Sequence, residues 1–205
     1  MPAGGTGLVL RGLRKEPATI GKWHLGWDLT YKEGKAKTVD NIDFTKRVAN
    51  GPTDRGFDYF YGLTSPSGPP HLYMVNDMAE KQPNTRFEES GGGLYKIKGG
   101  IGHSDWSADG MQPHLADKML EYLDENKDSD KPFFLYMALT APHIPLFPSK
   151  EFKGKSKIGD YGDLVMMIDD IVGRVNRKLK EIGKYDNTIV MFAADNGCAG
   201  YINMD

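Results

Sequence analysis

Phe133-Phe134-Leu135-Tyr136-Met137-Ala138-Leu139, followed by apolar residues at Leu164, Ile168, Ile171, Val175, Leu179 and Ile182, decides the fold. The first run is short, apolar and aromatic-rich, which predicts a strand. The second set recurs in three- and four-residue steps and predicts one long helix from Gly162 to Ile182, with Gly183 as its terminator. Upstream, Leu115, Met119, Leu120 and Leu123 have helical spacing within His114 to Asp124. Downstream, Thr188 to Ala194 reads as another strand, and Ala18 to Trp23 as a third. Helix, strand, long helix, strand is the order that a mostly parallel sheet flanked by helices requires, so the expected class is α/β. Between Thr30 and Gly110 the chain is richer in Gly, Pro, Asn and charge and predicts a long loop excursion.

A chain of 205 residues fits a single domain, and 39% hydrophobic with 26% charged residues describes a folded, water-compatible protein. The net charge of -2 gives no positive excess for a nucleic-acid backbone, so no nucleic-acid partner is expected. No apolar run is long enough to span a membrane, and the amino terminus lacks the charged-then-apolar pattern of an export signal. Cys198 is the only cysteine and cannot form an internal disulfide.

Three sets of polar residues follow the predicted strands directly. Lys22 and His24 are two apart at the end of the first, which sends both side chains to one face and Trp23 to the other. An ammonium and an imidazole together suit an anionic oxygen. His143 follows the Phe133 to Leu139 strand between Pro142 and Pro145. Asp195 and Asn196, before Gly197, offer hard oxygens for Ca2+ or Mg2+. Each has an ordinary alternative: a solvated strand edge, a proline-stiffened loop, an Asp-Asn-Gly turn. Asp169-Asp170 is a solvated helix face, because adjacent helical side chains diverge. Convergence favours function, since open α/β sheets bind ligands at the carboxyl ends of their strands. A cation-binding pair, a lysine and two histidines around one space point to sulfate or phosphate ester hydrolysis.

Gly21-Lys22-Trp23-His24-Leu25-Gly26 resembles the second signature of the sulfatase family, within the alkaline phosphatase superfamily. Phe133 to Leu146 is similar to the strand leading to that family's active-site histidine, Asp186 to Cys198 to its second metal-ligand segment, and Arg55 to Gly62 also fits. The similarity runs from about Leu13 to Cys198. It implies an arylsulfatase-like sulfuric ester hydrolase of alkaline phosphatase-like fold. Lys22 and His24 would bind sulfate beside the nucleophile. His143 would hydrogen-bond the sulfate and protonate the leaving oxygen, and Ser65 (or Ser67) would contact substrate. Asp195 and Asn196 would ligate Ca2+ or Mg2+. The family's usual compartments are the periplasm, the exterior or the lysosome.

The resemblance also exposes departures. The family's nucleophile is a formylglycine made from a Cys/Ser-x-Pro-x-Arg motif upstream of the Gly-Lys-Trp-His-Leu-Gly signature, and no such motif precedes Gly21. Thr64-Ser65-Pro66-Ser67-Gly68 mimics its shape in the wrong place and without the arginine. The family's earlier Asp-Asp pair and its downstream lysine are absent too. The expectation is therefore residues 1–205 as a partial sulfatase catalytic domain, incomplete at both ends and inactive alone. A phosphodiesterase or phosphonate hydrolase and a non-catalytic protein binding sulfated glycans are the alternatives.

Overall fold

Glu16–Lys22 forms β1, the middle strand of the parallel part of a sheet in the computed structural model, which describes residues 16–198, 200 and 202. On one side it pairs in parallel with β2 (Tyr59–Leu63), and on the other with the strand Phe133–Ala138. Two short antiparallel strands, β3 (Met74–Val75) and β4 (Met78–Ala79), extend the sheet beyond β2. A separate ribbon pairs β5 (Thr85–Phe87) with β6 (Gly100–Gly102). With Phe133–Ala138 as β7, the order across the sheet is β4-β3-β2-β1-β7. The expected α/β class holds, as a mixed sheet whose parallel core is three strands wide.

Among the described residues the α-helices are α1 (Met111–Glu125) and α2 (Gly159–Glu181). Of the predicted stripe, Leu164, Ile168, Ile171, Val175 and Leu179 are buried on α2, joined by Met167, while Ile182 is half-buried just past the helix end. Each such side chain removed from water contributes about 1.5–3 kcal/mol. Gly183, with φ 68°, ends the helix as expected. The Lys184 N–H donates to Leu179 O and the Gly183 N–H to Lys180 O, the pair of bonds that closes a helix through a left-handed residue. Asp169 is exposed, consistent with a solvated face.

Both helices cover one face of the sheet: Ala18 and Ile20 of β1 and Tyr61 and Leu63 of β2 pack with Leu115 and Met119 of α1 and Met167 and Ile171 of α2. Among the described residues no α-helix covers the opposite face. Trp23, Phe60 and Met74 pack there with Ile42, Phe44, Val48 and Phe57 from the segment between β1 and β2.

Two expectations are corrected. The stretch read as loop contains β2, which is paired along its whole length with β1. Thr188 to Ala194 is not a strand. Ile189, Met191 and Phe192 are 87%, 82% and 68% exposed, because no described neighbour offers this segment a ladder of hydrogen bonds.

Candidate sulfate-binding edge

Close backbone approach fixes the carboxyl ends of the three parallel strands. Gly21 pairs with Gly62 on one side and Ala138 on the other. A Cβ at Gly21, whose φ is 130°, would lie 1.9 Å from Ala138 O, and a Cβ at Gly62 would lie 1.8 Å from Gly21 O. No side chain fits at either position, so the two glycines let the strand ends lie against one another. Lys22 is in register with Leu63, and the Trp23 N–H donates to Leu63 O at 2.8 Å.

Three of the predicted site segments consequently leave one edge: Lys22 to His24 from β1, the Ser65 loop two residues beyond β2, and the His143 loop beyond β7. Trp23 turns into the second core, 8% exposed and edge-to-face with Phe57 at 6.3 Å. Its indole N–H donates to Gly26 O at 3.2 Å, which folds back the chain after the signature. Lys22 is half-buried and His24 exposed. His143 is exposed, with Nδ1 2.6 Å from Ile144 O. A carbonyl only accepts, so the proton is on Nδ1 and Nε2 is the nitrogen left for another partner. Ser65 is half-buried, and its Oγ lies 3.5 Å from the Ser67 N–H, at the limit of a hydrogen bond.

Asp195 and Asn196 are not brought into this group by any named element. They are exposed in a turn beyond the unpaired Thr188 to Ala194 segment, with Asn196 Nδ2 donating to Gly197 O at 2.8 Å. Among the described residues no group of three His, Cys, Asp or Glu side chains could hold a metal ion. Two oxygen donors fall short of the six to eight that Ca2+ takes, so the residues placed together here do not by themselves fit the ion.

Sequence reasoning missed a partly buried polar network at β2. Tyr61 Oη donates to Glu80 Oε2 at 2.8 Å and lies 2.6 Å from His114 Nε2. An ionised carboxylate only accepts, so the tyrosine proton points to Glu80 and the His114 Nε2–H donates to the tyrosine oxygen. Burial, then Glu80, holds the Tyr61 hydroxyl far above the usual range, and burial pushes His114 down. His71, 1% exposed, has Nε2 2.7 Å from Lys98 O and no partner for Nδ1 among the described residues. Burial lowers its pKa as well.

No helix among the described residues is long and apolar enough to cross a membrane. The Sulfatase family model matches residues 9–202. N-acetylgalactosamine-6-sulfatase of Sus scrofa is 31% identical over 195 residues, covering 93% of this chain and 32% of the relative. N-acetylgalactosamine-6-O-sulfatase of Bacteroides thetaiotaomicron is 27% identical, covering 87% of this chain and 39% of the relative. In fold, the chain is similar to a Bacteroides thetaiotaomicron protein solved in connection with glycosaminoglycan metabolism. That likeness has a TM-score of 0.67 and 21% identity over 87% of this chain and 42% of the other. The PsFucS1 sulfatase of Pseudoalteromonas sp. gives a TM-score of 0.58 at 22% identity, covering 87% of this chain and 34% of the other. The chain spans about a third of the length of the N-acetylgalactosamine-6-sulfatases it matches. A family model matched along nearly the whole chain places it in the sulfatase family.

Proposed function

We propose that the edge formed by β1, β2 and β7 holds the sulfate group of a sulfate ester in a sulfuric ester hydrolase. The observation that carries the reading is the register of Gly21 with Gly62 and Ala138, from which the Lys22, Ser65 and His143 segments emerge side by side. Lys22 supplies fixed positive charge to sulfate oxygens, at a half-buried position where that charge is less screened than in open water. His24 and the Ser65 hydroxyl donate hydrogen bonds. His143, held at Nδ1 by Ile144 O, presents Nε2 to the ester. That nitrogen is the one placed to give a proton to the ester oxygen that leaves as the alcohol, water being the other reactant of the hydrolysis and supplying the oxygen that sulfur gains.

The formylglycine fits nothing in this chain: no Cys/Ser-x-Pro-x-Arg motif occurs ahead of Gly21, and Cys198 lies on the exposed segment beyond Asn196. Asp195 and Asn196 have the right oxygen chemistry for Ca2+ or Mg2+ without completing a shell. The steps proposed here therefore run through neither group. The N-acetylgalactosamine-6-sulfatases among the relatives favour a sulfated amino sugar as the substrate.

Turnover by the protein containing this chain at its natural length, with an aryl sulfate, an N-acetylgalactosamine 6-sulfate and a phosphate diester compared, tests the reading. Sulfate esters should be preferred, and Lys22→Ala and His143→Ala should each lower kcat/KM by about a hundredfold or more. Preference for the phosphate diester would transfer the site to phosphoryl chemistry. Binding of sulfated sugar without turnover would make it a binding protein.

A further inference from the structure

β7 is held in register with β1 only as far as Ala138, opposite Gly21. His143 stands five residues further along, exposed, and among the described residues its ring bonds only to the carbonyl of its own neighbour, Ile144. Pro142 and Pro145 have no N–H to give. The hydrogen bonds that tie this segment to the rest of the described chain are therefore at its two ends. At the far end the Leu146 N–H donates to Leu94 O at 2.8 Å, and Leu146 is buried. At the near end the anchor is Thr140, 4% exposed. Its N–H donates to Gln112 Oε1 at 3.4 Å, a long bond, and its hydroxyl donates to Met111 Sδ at 4.0 Å. Both partners lie in the first turn of α1, a helix that Leu115 and Met119 pack onto the sheet. The place of His143 relative to Lys22 is thus inherited from a fixed helix start on one side and a buried leucine on the other.

Gln112 is 2% exposed, and its Nε2 has no partner among the described residues. An amide buried with one long bond and one unpaired donor does little for stability, because the unpaired donor costs about as much as the bond returns. An apolar side chain of similar length, such as methionine, would fill the same space without that cost. What only an acceptor at this reach can do is hold the Thr140 N–H. We infer that Gln112 is a positioning residue for His143: it fixes the exit of β7, and with it the point from which His143 Nε2 meets the ester. The inference rests on the proposed sulfate edge. Gln112 reaches the reaction through His143, so its effect follows the demand for a proton at the leaving oxygen. A sugar oxygen leaves poorly without that proton, whereas a nitrophenolate leaves well without it.

The test compares kcat/KM for N-acetylgalactosamine 6-sulfate and for a nitrophenyl sulfate, using the protein containing this chain at its natural length and working below each variant's melting temperature. Gln112→Met should lower the sugar-sulfate value about tenfold and the nitrophenyl value by about twofold or less. Its melting temperature should change by no more than about 2 °C, since removing the unpaired donor offsets the acceptor lost to Thr140. Gln112→Glu keeps an acceptor oxygen at the same reach and should retain most of the sugar-sulfate rate, even where its buried carboxyl lowers the melting temperature. His143→Ala should show the same bias, larger in size. Equal losses on both esters in Gln112→Met, no loss on the sugar sulfate, or a Gln112→Glu variant as impaired as Gln112→Met overturns the role of Gln112, and the edge stands so long as His143→Ala keeps the bias. Absence of the bias in His143→Ala removes His143 from the edge and the inference with it.

Discussion

His71 shows how much chemistry one buried side chain can fix. With Nε2–H donated to Lys98 O and Nδ1 buried without a partner among the described residues, a second proton would be a charge enclosed by Phe87 and Trp106. The folded-state pKa is therefore lowered from 6.5, with burial as the leading cause. A histidine depressed in the folded state binds fewer protons there than when unfolded, so its contribution is whole above about pH 6.5 and is lost as pH falls towards the folded value. His114 acts in the same direction. Urea midpoints measured from pH 8 to pH 5 should be level at first and fall below about 6.5, with a shallower fall in His71→Gln; an identical profile in that variant would show that His71 is not responsible. None of this was legible in the sequence. Tyr61, Glu80 and His114 are separated by 19 and 53 positions, and no local pattern brings them together. The places of Lys22 and His143 at the sheet edge were legible because Lys22 ends one strand that composition reveals and His143 lies a few residues beyond another.

Elements with a complete local signal were readable and those defined by their partners were not. The stripe of α2 and its Gly183 stop follow from the sequence alone, since a helix makes its hydrogen bonds within itself. β2 escaped because Tyr59-Phe60-Tyr61-Gly62-Leu63 is short, aromatic on both faces and broken by a glycine that weakens strand propensity. Its glycine is there because Gly21 O lies where a Cβ would be. Thr188 to Ala194 fails in the opposite sense. It has a strand's composition, yet propensity reports how a side chain suits a pleated surface, and a strand exists only beside another. In the 205-residue chain, Met191→Ser and Phe192→Ser should change stability by no more than about 0.5 kcal/mol, because those side chains are already in water. A loss of about 2 kcal/mol or more in urea unfolding would mean that the segment is packed.

For the whole molecule, the class and the position of the candidate site were both legible, because a parallel sheet directs every one of its strands to the same edge. The metal pair was not legible: Asp195 and Asn196 were expected beside Lys22, but they follow the Thr188 to Ala194 segment, which pairs with no strand among the described residues. The cleft lined by Phe87, Trp106 and Phe147 was not legible, as its walls come from four separate parts of the chain. β1, β2 and β7 end together, and the proposed anion-binding edge follows from that meeting of three distant segments. A titration of the 15N-labelled chain with inorganic sulfate, followed by amide chemical shifts, tests this most directly. Shifts at Lys22 to His24, at Ser65 to Ser67 and at His143 to Ile144, all following one binding curve and all abolished by Lys22→Ala, are the expected result. Shifts confined to one of these segments, or following different curves, would contradict it.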